Sequence, residues 1–278
     1  MSTLKTQALL VSLSITKPQM TKKDHKGTFA AEAATNALNA GAYIKRLFPK
    51  HLIDPITSIE GEARSYLYAY TVPWNKGSQL LPSKRYMVFA AQMAKHELMF
   101  DQAVVVFLNN FVQVMTEAEQ AQGDMFNANE YPDLSELRSR FSMHTRYFPI
   151  ADMSDFRLEI EKEALADVKQ QVRASIESAL TESMKEPYER LFNAVSRIAT
   201  QCSEPKARIH DSLMENLDEL LDILPDLNFT NDRNLAALLE QCRTNISVMP
   251  ETLRVEPGIR ANVAKQAKEI ADTMRAFM

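Results

Sequence analysis

Leu9, Val11, Leu13 and Ile15 alternate with smaller or polar neighbours. That period of two is what one short half-buried strand requires. After it the apolar period lengthens. Thr28 stands where a helix N-cap belongs and predicts a helix to about Phe48. Asp54 followed by Pro55 predicts the start of a second, because an Asp side chain accepts a first-turn N–H and proline's fixed φ suits that turn. In that second helix Ile56, Ile59, Ala63, Tyr66, Leu67 and Tyr70 keep helical spacing until Pro73 and Trp74 stop it. From Ser83 to Gln122 the residues Tyr86, Phe89, Met93, Phe100, Val104, Phe107, Phe111 and Val114 recur every three or four positions. The spacing predicts one long helix, the central pillar of the core. An irregular stretch follows Gly123, and Phe148–Ile150 and Phe156–Ile160 read as short strands able to pair with the one at Leu9–Ile15.

From Glu161 the 3.6-residue period returns in four segments, to Met184, from Pro187 to Cys202, from Lys206 to Leu224 and from Asn231 to Val248. A last helix starts at Pro257. The third segment sets Ile209, Leu213, Leu217, Leu220, Leu221 and Leu224 on one face and Glu215, Asp218, Glu219 and Asp222 around the rest, which predicts a surface helix with a solvated acidic side. Six glycines in 278 residues, none between Gly123 and Gly258, argue against the tight turns of a sheet-rich fold. The expected fold is therefore mainly α, a multi-helix, bundle-like protein with a long central helix and at most a small β-sheet near the N-terminus and residues 148–160. Residues 1–160 read as a basic, aromatic-rich α(+β) region and 161–278 as an acidic all-helical region packed as one unit.

Charge sharpens that division. Residues 1–100 hold 13 Lys/Arg against 6 Asp/Glu, a net of +7, and residues 101–278 hold 19 against 30, a net of −11. Such asymmetry is the usual footprint of an anionic partner. The apolar stretches fall short of the roughly 20 residues a bilayer needs, and the first residues lack the pattern of a signal peptide, so a cytoplasmic setting without membrane contact is expected. Two cysteines, Cys202 and Cys242, predict reduced thiols with no role in metal or redox chemistry.

Catalytic constellations are absent from the sequence pattern, and a non-enzyme without cofactor or metal is expected. There is no G-x-G-x-x-G, Walker A loop or G-x-S-x-G elbow, and so few glycines cannot cradle a phosphate closely. His96–Glu97 lacks a second histidine at the fourth position, where Phe100 stands, so His96 reads as a partly buried helix residue. Asp152 and Asp155 read as turn and cap residues ahead of a strand.

Cations interleaved with aromatic rings remain. Lys17, Lys22, Lys23 and Lys26 crowd an expected flexible loop. Lys45, Arg46, Lys50, Lys76, Lys84 and Arg85 alternate with rings that include Tyr68 and Trp74. Single-stranded nucleic acid is held by that combination, cations on phosphates and bases on rings at about 1–3 kcal/mol each. These twelve residues are the candidate contact set. Within Tyr66-Leu67-Tyr68-Ala69-Tyr70, a helix places Tyr66 and Tyr70 in the core and Tyr68 nearer solvent.

Several short motifs carry a resemblance: Tyr70-Thr71-Val72-Pro73-Trp74, Glu130-Tyr131-Pro132, Asp155-Phe156-Arg157, His210-Asp211-Ser212-Leu213 with Asn216-Leu217, and Leu224-Pro225-Asp226-Leu227-Asn228. Together they resemble an uncharacterised protein family of tailed bacteriophages. Residues 28–120 are also similar, more loosely, to a phage and plasmid domain encoded near MoxR-type AAA ATPases. The resemblance brings no catalytic residues. It implies a phage protein made in a bacterial cytoplasm, and with the charge pattern it leaves two readings open. One is a non-catalytic binder of single-stranded DNA in phage DNA metabolism. The other is a helical adaptor or self-assembling scaffold, a homo-oligomer or a partner of an AAA ATPase.

Overall fold

The computed structural model describes residues 2–75, 77–150 and 162–277. The strand expected at 156–160, the Asp152 and Asp155 pair, the Asp155-Phe156-Arg157 motif and Lys76 lie outside them. Among the described residues the protein is mainly α with a small sheet, and no single helix is long and apolar enough to cross a membrane.

The chain divides into two compact units that are discontinuous in sequence. One comprises residues 1–12, 70–86 and 147–278, the other residues 13–69 and 87–146. The elements in order are α1 (Ser2–Gln7), β1 (Ala8–Thr16), β2 (Thr21–Lys23), α2 (His25–Thr35), β3 (Ile44–Arg46) and α3 (Lys50–Tyr70). Next come β4 (Val72–Asn75), β5 (Ser78–Pro82), α4 (Tyr86–Asn109), α5 (Phe111–Gln122), α6 (Leu134–Leu137) and β6 (Ser142–Phe148). Six helices close the chain: α7 (Lys162–Ser183), α8 (Lys185–Ser203), α9 (Ser212–Leu227), α10 (Arg233–Asn245), α11 (Pro250–Val255) and α12 (Pro257–Met274).

A four-stranded sheet has the order β4-β5-β1-β6, and β2 and β3 form a separate antiparallel ribbon. The alternation at Leu9–Ile15 becomes β1. Two of the sheet's strands, however, come from residues 72–82, where the sequence predicts a helix stop and nothing more. Gly77 at φ 83 makes the tight turn between β4 and β5 possible, since a side chain rarely adopts that backbone conformation.

In the first unit α8, α9, α10 and α12 pack on one another around a core that includes Leu191, Val195, Ile198, Leu217, Leu224, Leu238 and Ile270. The predicted apolar face of α9 is buried except for half-buried Leu220, and Glu215, Asp218, Glu219 and Asp222 all face solvent. The helix runs past its expected end at Leu224 with Pro225 inside it. Proline cannot donate to the carbonyl four residues back, and the Arg243 guanidinium takes that place on Leu221 O.

The second unit is built on rings. Phe48 meets Phe107 and Tyr131 edge-on, each at 5.6 Å, and Phe107 meets Phe141 at 5.7 Å. The expected single helix from Ser83 to Gln122 is two, α4 and α5, bent by 67°. Asn110 breaks it. Its ψ of 15° leaves the helical region, and its side chain donates to Val106 O at 2.8 Å, closing α4 in place of a continuing turn. Two helix starts are also corrected. Asp24, not Thr28, caps α2, its carboxylate accepting from Gly27 N at 2.7 Å. That helix ends at Asn36, at φ 51, rather than at Phe48. α3 begins at Lys50, so Pro55 lies inside it and forgoes its bond to the His51 carbonyl.

Cys202 and Cys242 are both buried and free. Burial pushes the Cys242 thiol up to about 12 and raises Cys202 as well, with Arg260 acting against the second shift. A thiol-reactive disulfide added at about pH 8 is therefore expected to leave both untouched in the folded protein and to modify both in denaturant. Rapid modification of the native chain would contradict the buried placement. Replacing each with Ala is expected to cost about 1 kcal/mol in packing.

Candidate nucleic-acid interface

β2 and β3 pair with Thr21 opposite Arg46, Lys22 opposite Lys45 and Lys23 opposite Ile44. Because strand side chains alternate, Lys22 and Lys45 share one face of the ribbon and Thr21, Lys23, Ile44 and Arg46 the other. The first face is an ion-pair network. Lys45, with 3% of its side chain exposed, lies 2.7 Å from Glu130 and 3.3 Å from Asp24, and its ammonium also donates to Met125 O. Glu130 reaches Lys22 as well, at 3.6 Å. Burial works against the Lys45 ammonium, yet the Glu130 and Asp24 carboxylates outweigh it and hold its pKa above the ordinary value. The Asp24 carboxyl is held below its ordinary value, first by the Gly27 N–H and then, against burial, by Lys45.

The second face is free of this network. Thr21, Lys23, Ile44 and Arg46 are all exposed, and Lys26 and Lys50 stand exposed just beyond the ribbon on α2 and α3. No ion pair engages Lys23, Lys26, Arg46 or Lys50 among the described residues. Apolar side chains accompany these cations: Phe29 is 73% exposed, Ile44 54% and Tyr43 43%. α2 buries no residue. Gly27 lets it approach Tyr43, since a Cβ there would come within 2.7 Å of the tyrosine ring.

The remaining candidate residues are scattered. Lys17 lies in the loop between β1 and β2 and bonds Glu60 at 2.5 Å. Lys22 pairs with Glu130 inside a strand rather than lying in such a loop. Trp74 is buried in the core of the other unit and is no stacking platform, because β4 turns its side chain inward. Lys84 and Arg85 both engage Asp226, at 2.5 and 2.6 Å, and Arg85 also donates to Asp222 O at 2.9 Å. These two cations satisfy the carboxyl end of α9, where positive charge is favoured. Tyr68 is exposed, as its helix position predicts. Tyr66 stacks on Phe89 at 5.5 Å, and Tyr70, where the chain enters the unit of residues 1–12, 70–86 and 147–278, packs on that unit's own core. Tyr68 stands about 27 Å along α3 from Lys50 at 1.5 Å per residue.

Sequence reasoning missed Phe29 and Ile44. One signal for Phe29 was present: Glu32 and Ala33 occupy the positions where a buried face would set its large neighbours.

Burial alone would raise the Asp226 and Glu60 carboxyls. Lys84 and Arg85 around the first, and Lys17 and Arg64 around the second, outweigh burial and lower both. A depressed carboxylate contributes stability above its unfolded pKa and loses it as pH falls through the folded value. Both units are thus expected to weaken progressively as pH drops through the unfolded values of 3.8 and 4.5. Asp226→Asn should flatten that dependence for residues 70–86 and 212–227, followed by amide exchange.

His96 is buried on α4, its Nε2 3.1 Å from the Gln92 amide. No group of three or more His, Cys, Asp or Glu among the described residues could hold a metal ion. No family model, curated protein or solved structure matches this chain.

Proposed function

We propose that the protein is a non-catalytic nucleic-acid-binding protein that holds single-stranded DNA, in the setting of phage DNA metabolism, on the outward face of its β2–β3 ribbon. One observation carries this reading. Lys23 and Arg46 are exposed and unpaired on a ribbon face that also exposes Ile44, and the neighbouring chain adds exposed Lys26 and Phe29 on α2, Tyr43 just before β3 and Lys50 on α3. Solvated lysines alone would be ordinary on any surface. Large apolar side chains left in water among them are not, and a base stacking on Phe29 or Tyr43 while its phosphates meet the cations covers both. The acidic face of α9 fits the same reading as a surface that repels nucleic acid and limits contact to the ribbon.

Fluorescence anisotropy of a labelled, unstructured oligonucleotide tests it. Saturable binding at about 50 mM salt that weakens steadily as salt rises is the expected result. An oligonucleotide that stays free at low salt, where phosphate attraction is strongest, would leave the helical adaptor, self-assembling or partnered with an AAA ATPase, as the reading.

A further inference from the structure

Residues 101–278 carry 19 Lys/Arg against 30 Asp/Glu, yet one place among them reverses the sign. Where the end of α8 meets α11 and α12 there is a cavity of about 580 Å³ whose wall combines Arg254, Arg260, Lys265 and Lys268 with Leu253 and Ala264. No carboxylate lines it. A second cavity of about 520 Å³ shares Arg254 and Arg260, adds Arg208 and His210, and meets one carboxylate, Asp211.

Two of these cations are already compensated. Arg254 pairs with Asp211 and, at 3.7 Å, with Glu251, and Lys265 lies 3.9 Å from Glu269. Three are not. Arg260 donates to the carbonyls of Gln201, Cys202, Glu204 and Ala207, and meets no carboxylate. Those four dipoles fix the guanidinium at the end of α8 but cannot cancel its charge. Arg208 and Lys268 are exposed and form no ion pair among the described residues.

Arg260 stands in the wall of both cavities, Lys268 in that of the first and Arg208 in that of the second, and an anion of charge two or more held beside Arg260 offsets the repulsion among them. A monocarboxylate would leave most of the charge unmet, whereas a di- or triphosphate matches it, and the Arg260 Nη1 is not engaged by the carbonyls that hold Nε and Nη2. The apolar part of the wall, Leu253 with Ala261 and Ala264, leaves room for a ligand body. No Phe, Tyr or Trp lines either cavity, so the hollow lacks the large stacking platform that a nucleic-acid strand uses.

We propose that these adjoining hollows bind a small molecule carrying two or more phosphates, its phosphates on Arg260 and Lys268 of the first and Arg208 of the second, with the ligand body against Leu253 and Ala264. Arg260 is held in place before any ligand arrives, so its ordering costs nothing at binding. The site's residues all belong to the unit of residues 1–12, 70–86 and 147–278, whereas the β2–β3 ribbon belongs to the other.

Calorimetric titration of the full chain with tripolyphosphate and with ATP, at low ionic strength and against acetate of matched ionic strength, tests the proposal. At least one phosphate probe should bind saturably at one site per chain, with acetate silent. Arg208→Ala combined with Lys268→Ala removes two exposed side chains that support no neighbour, and should weaken binding by about tenfold or more. Ala261→Phe fills the hollow without changing charge and should weaken ATP at least as strongly. Lys23→Ala with Arg46→Ala, on the ribbon, should change neither. Two results would overturn the site: no saturable heat from either probe, or binding that survives both Arg208→Ala/Lys268→Ala and Ala261→Phe.

Discussion

Replacing Lys45 with Met is expected to destabilise the unit of residues 13–69 and 87–146 by about 3 kcal/mol, read from urea unfolding and from amide exchange across β2 and β3. The side chain is 3% exposed and lies between Asp24 and Glu130. Methionine keeps its apolar stem but leaves two carboxylates facing a dry space with no cation between them. Breaking a buried pair from one side is costly for this reason, even where the intact pair contributes little net stability. Lys22→Met supplies the control. Its ammonium is half-exposed and 3.6 Å from the same Glu130, so its loss should cost well under 1 kcal/mol. Adding Glu130→Gln to Lys45→Met should recover part of the loss by removing one stranded charge. The pH sign follows from the raised Lys45 pKa: its contribution is complete below 10.5 and fades as pH rises through the folded value. Equal costs for Lys45→Met and Lys22→Met would show that the network does not fasten the ribbon.

Helices whose apolar stripe repeats over several turns were legible in the chain. α8, α10 and α12 lie within a few residues of their predicted spans, because burial of one face decides them and the period records that face, whereas α9 begins at Ser212 and not at Lys206. Breaks and short strands were not. Asn110 sits in an unbroken apolar rhythm, and nothing in that rhythm shows a ψ of 15° there. β4 and β5 are four and five residues long, too short for an alternation to stand out around Pro73.

The candidate interface was legible as a charge balance but not residue by residue. Lys45 and Lys23 look alike in sequence, and their fates differ because a strand sends alternate side chains to opposite faces. Glu130, which engages Lys45, stands 85 positions further on. A pairing across that separation leaves no local mark. For the same reason Lys84 and Arg85 were grouped with the free cations, although Asp226 satisfies both.

The separation of the exposed, unpaired cations from those of the Glu130 network gives the largest expected effect on binding. Changing Lys23, Lys26, Arg46 and Lys50 together to Ala should weaken single-stranded DNA binding for all sequences alike, because phosphate contacts carry no base information. Each lost contact lowers the salt slope by about 0.7, so four remove about 2.8, and with it about fiftyfold of the affinity change between 50 and 200 mM salt. Lys17→Ala with Lys22→Ala should do far less, since both ammoniums already hold carboxylates of this chain. Phe29→Ala or Tyr43→Ala should weaken binding by about 1–3 kcal/mol while leaving the salt slope nearly unchanged, because stacking releases few ions. Phe29 is 73% exposed and supports no core, so its replacement separates ligand contact from folding. If the Lys17 and Lys22 pair proves as damaging as Lys23, Lys26, Arg46 and Lys50 together, the contact surface does not follow the exposed, unpaired cations, and the assignment of DNA to the ribbon's outward face fails.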